Sequence, residues 1–212
     1  MRPVRDDAGV YAAACRTTDL SDAAPYLADL RSARGTPRWR RSEHLAGRTL
    51  LRRLLADVVG GAATASPIAV RAHGGPYLVR RPDIGVSLAH TDGWVAAAVH
   101  LGGTVGVDSQ SVGPVDDRMV RRCCGPATRA CLARLPRPDR ALEIAWIWTV
   151  QEACVKATGA GLADRPWTIP VDVGQHDGRW GTVAWAELRD QWPVPVSCAH
   201  GEPMRGGGAC TD

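Results

Sequence analysis

The stretch that decides the fold is Trp148-Thr149-Val150-Gln151-Glu152-Ala153-Cys154-Val155-Lys156-Ala157-Thr158-Gly159. No Pro or Gly interrupts the run before Gly159, which predicts a helix that ends at that glycine. Trp148, Glu152 and Lys156 are spaced by four residues and therefore share one face of the helix. A second face carries the apolar positions of a core, at Ile147, Val150, Cys154 and Ala157.

The Glu152–Lys156 pair has two interpretations. If it is exposed, it is an ordinary helix salt bridge worth only about 0.3–0.5 kcal/mol. However, Lys156 is the only lysine among 26 basic residues. Because a compact ammonium and a planar guanidinium bind differently, a single retained lysine indicates a function for which arginine is poorly suited.

Composition describes an ordinary globular protein. The 212 residues are 45% hydrophobic and 23% charged, which suits one large domain or two small lobes. The net charge of +4 does not by itself indicate nucleic acid. We expect a cytoplasmic protein, because no apolar run approaches the roughly 20 residues of a membrane span and the N-terminus lacks the apolar core of a signal peptide. The seven cysteines show no Cys-x-x-Cys spacing, which favours reduced thiols.

A basic segment lies between residues 31 and 53, where eight arginines face one acid, Glu43. A helix is predicted to start near Ser42 and to end at Gly60, with Arg48 and Arg52 one turn apart. Its buried stripe is Leu51, Leu54, Leu55, Val58 and Val59. The arginines form either a solvated face of the helix or a binding site for a polyanion. The second alternative follows because clustered guanidiniums repel one another, and each can donate two hydrogen bonds to a phosphate.

The remaining chain predicts short strands with few helices. Helices are expected over residues 21–34, with Ser21 as N-cap, and around residues 126–134. Strands are expected at residues 8–15, 67–71, 77–79, within 84–93, and at 94–99, 104–108, 168–173, 180–187 and 194–199. The His176-Asp177-Gly178 turn would join the strands 168–173 and 180–187.

Asp108 and Gln110 follow a strand that we expect to be buried. Side chains two residues apart on extended backbone point to the same side, so both can offer an oxygen to one ion. Oxygen ligands without His or Cys favour a hard cation. A site with only a few protein ligands favours Mg²⁺, because phosphate and water can complete the coordination of this ion.

Several sequence blocks occur together in one order. Gly106-x-Asp108, Trp148-x-x-x-Glu152-x-x-x-Lys156 and Gly159-x-Gly161-Leu162 form the C-terminal blocks. Upstream are the segments 73–78 (His-Gly-Gly-Pro-Tyr-Leu), 86–91 (Val-Ser-Leu-Ala-His-Thr) and 45–52 (Leu-Ala-Gly-Arg-Thr-Leu-Leu-Arg). Together they resemble the Sfp-type 4′-phosphopantetheinyl transferases, whose corresponding segments are Gly-Lys-Pro, Asn-x-Ser-His-Ser and a first long helix. The resemblance covers residues 26–200.

This resemblance implies an α/β (α+β) fold of two similar lobes with pseudo-two-fold symmetry, each a small sheet packed on a long helix. The lobes would span residues 1–104 and 105–200, followed by a flexible tail at residues 201–212. Coenzyme A would bind between them, with its adenosine and 3′-phosphate on the N-terminal side. The metal and the carrier protein would bind on the C-terminal side. We expect a monomer that binds neither nucleic acid nor membranes.

The resemblance also implies transfer of the 4′-phosphopantetheine group of coenzyme A to a serine of an apo acyl or peptidyl carrier protein, releasing 3′,5′-ADP. Asp108, Gln110 and Glu152 would hold Mg²⁺. Glu152 would accept the serine proton, directly or through water, and Lys156 would contact the pyrophosphate as the second catalytic residue. The residues that would contact coenzyme A are Arg31, Gly75, Pro76, His90, Thr91, Asp108 and Lys156. Arg48 and Arg52 would either stabilise the fold or contact the ligand.

Some positions depart from the family pattern. Gln110 stands where the family often has an acid, which predicts weaker Mg²⁺ binding. Gln151 and Gly75 each replace a Lys, and Ala89 replaces a Ser, so each would remove a charge or a hydrogen bond near the ligand. Two other classes therefore stay open: a relative that binds carrier domains or coenzyme A without turnover, and a nucleic-acid binder that uses the arginine cluster.

Overall fold

The computed structural model describes residues 3–6, 8–72 and 74–202. Its helices are α1 Leu27–Ser32, α2 Arg38–Val59, α3 Gly61–Thr64, α4 Asp117–Cys123, α5 Pro126–Leu132 and α6 Arg137–Thr158. Its strands are β1 Val4–Arg5, β2 Val10–Arg16, β3 Ile68–Val70, β4 Pro76–Leu78, β5 Ile84–Thr91, β6 Trp94–Leu101, β7 Thr104–Ser109, β8 Asp177–Trp180, β9 Val183–Glu187 and β10 Val196–Gly201. Short 3₁₀ turns lie at Thr17–Leu20, Gly161–Asp164 and Pro166–Thr168.

Two antiparallel four-stranded sheets form the centre of the molecule. The N-terminal sheet has the strand order β1-β2-β6-β5, and the C-terminal sheet has the order β7-β10-β9-β8. The separate β3–β4 hairpin is two-stranded. The mixed α/β class is thus confirmed, while the pseudo-two-fold relation between two lobes stays a prediction.

Each four-stranded sheet packs one face on a 22-residue helix. On α2 the leucines at 50, 51, 54 and 55 are completely buried against the N-terminal sheet. On α6 the core-facing residues include Ile147, Val150 and Cys154. Both helices end at glycines with positive φ, Gly60 at 94° and Gly159 at 75°, a backbone conformation that favours residues without a Cβ.

The opposite faces of the two sheets pack on each other through small side chains. Alternation along β6 directs Val95, Ala97 and Val99 towards α2 and Ala96 and Ala98 towards the C-terminal sheet. Val107 of β7 and Cys198 of β10 belong to that second cluster. The order of layers is therefore helix, sheet, sheet, helix.

β5 and β7 join the two sheets along a seam held by side-chain hydroxyls. The Val107 N–H donates to Ser87 Oγ at 3.0 Å, and the Ser111 N–H donates to Thr91 Oγ1 at 3.0 Å. In each pair the two residues are twenty positions apart in the sequence, so the two strands run in the same direction at this seam. The predicted boundary at residue 104 falls at the start of β7.

Several predicted elements differ from the structure. Residues 21–34 do not form one helix capped by Ser21, since Pro25 interrupts them and only Leu27–Ser32 is α-helical. Residues 168–173 are not a strand. Ile169 and Val171 are buried against α6, but Pro170 lacks the N–H that a ladder requires.

The ends of the second half also differ from expectation. The hairpin of this region joins β8 and β9 through Gly181, whose φ is 57°, and Asp177 and Gly178 lie within β8. The helix α4 was not predicted. Gly201, the first residue of the expected tail, is the last residue of β10, and residues 203–212 lie outside the described part of the chain.

Candidate active site

Gly106 brings β7 and α6 into unusually close contact. A Cβ at this position would lie 1.9 Å from the Ala153 carbonyl oxygen and 2.6 Å from the Ala157 nitrogen. Only glycine therefore allows the two backbones to approach this closely. As a result Asp108, on the same face of β7, lies against the turn of α6 that carries Glu152 and Lys156.

Lys156 is paired across the fold with Asp108. Its Nζ donates to Asp108 Oδ1 at 2.7 Å and to the Val107 carbonyl at 3.0 Å. The side chain of Asp108 is 11% exposed and that of Lys156 is 29% exposed, so the pair is partly shielded from water. Although both residues are described, no salt bridge joins Lys156 to Glu152, and the interpretation of an exposed helix salt bridge is therefore wrong.

Asp108 lies close enough to Glu152 to influence its ionisation. Burial raises the pKa of Glu152, the Asp108 charge raises it further, and Lys156 opposes both effects. Burial also raises the pKa of Asp108, against the stabilising charge and hydrogen bond of Lys156. Two partly desolvated carboxylates facing one ammonium leave negative charge that is not fully compensated.

This donor set fits a hard divalent cation, because a cation would relieve the remaining negative charge and both donors are carboxylate oxygens. Within the described ranges, no group of three or more His, Cys, Asp or Glu residues could hold a metal. A cation at Asp108 and Glu152 would therefore need oxygens from Gln110, substrate or water. Gln110 donates its amide to the Ser111 carbonyl at 3.3 Å, and its contacts include neither acid.

A cleft of about 910 Å³ runs beside these residues. Its walls are the β3–β4 turn, the first half of β5, the β6–β7 turn and the C-terminal end of α6. Gly75, Pro76, Glu152 and Lys156 line it, and their contact with a ligand stays a prediction. Its volume lies within the range of about 300–1,000 Å³ that is typical of small-molecule sites.

Four other residues predicted to bind ligand do not line this cleft: Asp108, described above, and His90, Thr91 and Arg31. His90 is half exposed at the end of β5, with its Nε2 3.8 Å from Glu43 Oε2. Thr91 uses its hydroxyl on Ser111. Arg31 is exposed in the last turn of α1. Their contact with a ligand stays a prediction.

Arg48 and Arg52 are structural, and no sequence signal identified their partner. Both are 4% exposed and bind the buried Asp29, Arg48 at 3.0 Å and Arg52 through Nε at 2.6 Å and Nη2 at 3.0 Å. Burial raises the pKa of Asp29, but the hydrogen bonds from the two arginines outweigh it and the pKa is lowered. These two arginines therefore neutralise an internal acid and cannot contribute to a polyanion site.

Gln151 is also structural, which corrects the expectation that it faces the ligand. It is completely buried, and its amide donates to the carbonyls of Cys123 and Ile169, both at 2.8 Å. It thereby ties α6 to the end of α4 and to the segment after the last 3₁₀ turn. A lysine in this position would bury its charge among those carbonyls.

The arrangement of β7 and α6 agrees with a comparison to known protein families. Residues 104–206 match the family model described as ACPS, the 4′-phosphopantetheinyl transferase superfamily. The matched segment is just under half of the chain, begins with β7 and contains Asp108, Glu152 and Lys156. No curated protein matches the chain. The match supports the superfamily without distinguishing its subfamilies.

Proposed function

We propose that this chain, whose C-terminal half matches the 4′-phosphopantetheinyl transferase superfamily, is an active Sfp-type transferase. It would move the 4′-phosphopantetheine group of coenzyme A to a serine of an apo acyl or peptidyl carrier protein. The observation that carries the proposal is the convergence of Asp108, Glu152 and Lys156 beside a cleft of coenzyme size.

In the proposed reaction the carrier serine oxygen forms a bond to the β-phosphorus of coenzyme A. The bond from that phosphorus to the bridging oxygen breaks, and the electron pair leaves with 3′,5′-ADP. Catalysis of this kind depends mainly on positioning and on charge neutralisation. Lys156 would hold the diphosphate, because its ammonium is fixed at the wall of the cleft by Asp108 and the Val107 carbonyl.

Glu152 would accept the serine proton, directly or through one water molecule. It lines the cleft, and its raised pKa makes it a better proton acceptor than an ordinary glutamate. Asp108 and Glu152 would also bind Mg²⁺, with Gln110 as a further oxygen donor. When bound, Mg²⁺ would supply neutralisation of the phosphate charge and polarisation of the attacked group.

The decisive experiment is intact-mass measurement of several apo carrier proteins after incubation with the chain, coenzyme A and Mg²⁺. We expect a mass increase of one phosphopantetheine group. Glu152→Ala should slow its formation by about 10²-fold or more, the scale of a lost general base. Asp139→Ala is the matched control, because Asp139 is exposed in the first turn of the same helix.

The second candidate, a binding protein without turnover, gives a different result. Coenzyme A would bind, but no carrier would gain mass, even though a transferase of known activity modifies the same carriers. That outcome would reject the enzymatic proposal. The nucleic-acid alternative has lost support, since Arg48 and Arg52 are occupied by Asp29.

A further inference from the structure

The charged side chains of the cleft differ in whether they have an oppositely charged partner. Among the described residues, its lining includes two cations, Arg71 and Lys156, and two acids, Asp83 and Glu152. Lys156 is bound to Asp108. Asp83 is bound to Arg81 outside the cleft lining, at 2.7 Å and 2.9 Å.

Arg71 remains available to a ligand. Across the described ranges, no salt bridge joins it to an acid, so it is the cation of the cleft wall whose charge has no acidic partner. A guanidinium in this state can form a forked pair of hydrogen bonds with a phosphate.

Local geometry holds Arg71 at the cleft. Its backbone N–H donates to the Gly75 carbonyl at 2.8 Å, and its carbonyl accepts from the Gly74 N–H at 2.9 Å, which closes the β3–β4 turn. Its Cζ lies 4.9 Å from the centre of the Tyr77 ring, a cation–π distance, and Tyr77 also lines the cleft. The guanidinium thus packs near the ring, and Arg71 is exposed to solvent.

We infer that Arg71, supported by Tyr77, binds the 3′-phosphate of coenzyme A. The inference rests on the proposed function. Coenzyme A carries two anionic groups, a diphosphate and a 3′-phosphate on the ribose. If Lys156 on the α6 wall holds the diphosphate, the Arg71 guanidinium on the β3–β4 wall is available to bind the 3′-phosphate. Arg71 would bind this phosphate from the cleft wall, whereas the predicted contacts His90 and Arg31 do not line the cleft.

The test compares binding of coenzyme A and of dephospho-coenzyme A, which lacks only the 3′-phosphate, by calorimetry. The wild type should bind coenzyme A more tightly. Arg71→Ala should weaken that binding by about tenfold, the scale of a charged hydrogen bond, and leave dephospho-coenzyme A unchanged. Arg71→Lys should give an intermediate loss, because it keeps the charge without the fork. A structural defect would weaken both ligands equally.

Arg80→Ala is the control, since Arg80 is an exposed arginine near the same hairpin that does not line the cleft. The inference is overturned if Arg71→Ala binds both ligands as the wild type does, if it weakens both equally, or if His90→Ala alone removes the preference for coenzyme A. Failure of the proposed function looks different: the preference would still depend on Arg71, but no carrier protein would gain mass.

Discussion

The chain uses its two kinds of basic side chain in different ways at the level of single residues. At Asp29, arginines bind both carboxylate oxygens, Arg48 on one and Arg52 on both. At Asp108, the compact ammonium of Lys156 binds one carboxylate oxygen and one backbone carbonyl. A planar guanidinium would not fit that narrow position in the same way, which gives a physical reason for the single lysine.

The raised pKa of Glu152 predicts a stability effect that depends on pH. Because the folded state raises this pKa, the folded chain binds the proton more tightly than the unfolded chain. The resulting stabilisation is complete below the unfolded pKa, near the ordinary value of 4.5, and is lost as pH rises through the raised value. Glu152→Gln should therefore unfold at higher denaturant concentration than the wild type at neutral pH.

Denaturant unfolding followed from pH 4 to pH 8 measures this difference. It should shrink as the pH falls towards the unfolded pKa, and transfer activity should be lost in the same variant. If Glu152→Gln is less stable than the wild type at neutral pH, the folded state favours the ionised carboxylate and the prediction is wrong.

Gln110 gives a prediction about the metal. If its side chain turns from the Ser111 carbonyl towards the two acids, Gln110→Glu adds a charged ligand. The Mg²⁺ concentration at half-maximal activity should then fall by about tenfold. Titration of activity with Mg²⁺ measures it, and an unchanged midpoint would remove Gln110 from the ligand set.

The contact between β7 and α6 governs the site at the level of secondary-structure elements. Gly106→Ala would place a methyl group inside that contact, so α6 must move away from Asp108. We expect a loss of about 1–3 kcal/mol or more in the free energy of unfolding, as for overpacked cores, together with reduced transfer activity.

Gly113→Ala is the matched control for this change. A Cβ there meets nothing within 4 Å, and its φ is not positive. Chemical denaturation and the carrier assay should show little change in this variant. Equal behaviour of the two alanine variants would mean that β7 and α6 can separate without cost.

The elements that were predictable have strong local signals. The end of α6 is predictable from the four-residue spacing of Glu152 and Lys156 and from Gly159. Its start is not, because Pro138 lies in its first turn and proline usually indicates an interruption. The partners in space were harder to predict. Asp29 lies 19 and 23 residues from its arginines, and nothing in a helical period relates them. Gln151 was misjudged because periodicity identifies a face but not what covers it.

At the scale of the whole molecule, small residues pack between the two sheets, and the walls of the cleft come from both sheets and from α6. We therefore expect the spacing of the sheets to set the shape of the cleft. Ala98 faces the C-terminal sheet and Ala97 faces α2, and both are completely buried. Leucine at either position should cost about 1–3 kcal/mol in unfolding free energy. Only Ala98→Leu should also weaken coenzyme A binding, because it forces the sheets apart.

Calorimetry with coenzyme A compares the two leucine variants at temperatures where both are folded. If Ala97→Leu weakens binding as much as Ala98→Leu does, the spacing of the sheets does not set the shape of the cleft. The larger architecture was predictable only in outline: short apolar runs between turn signals indicated strands. They could not show which face of β6 meets a helix and which meets a second sheet.

The chain as a whole cannot easily be divided. β5 and β7 are the edge strands of their sheets, and side-chain hydroxyls of β5 accept hydrogen bonds from the Val107 and Ser111 N–H groups, which would otherwise be uncovered at the edge. Cutting the polypeptide in the turn at residues 102–103 would release two fragments with open strand edges, which readily recruit foreign strands and aggregate. A gene truncated to one half would therefore encode an insoluble product unless a complementary fragment were made in the same cell.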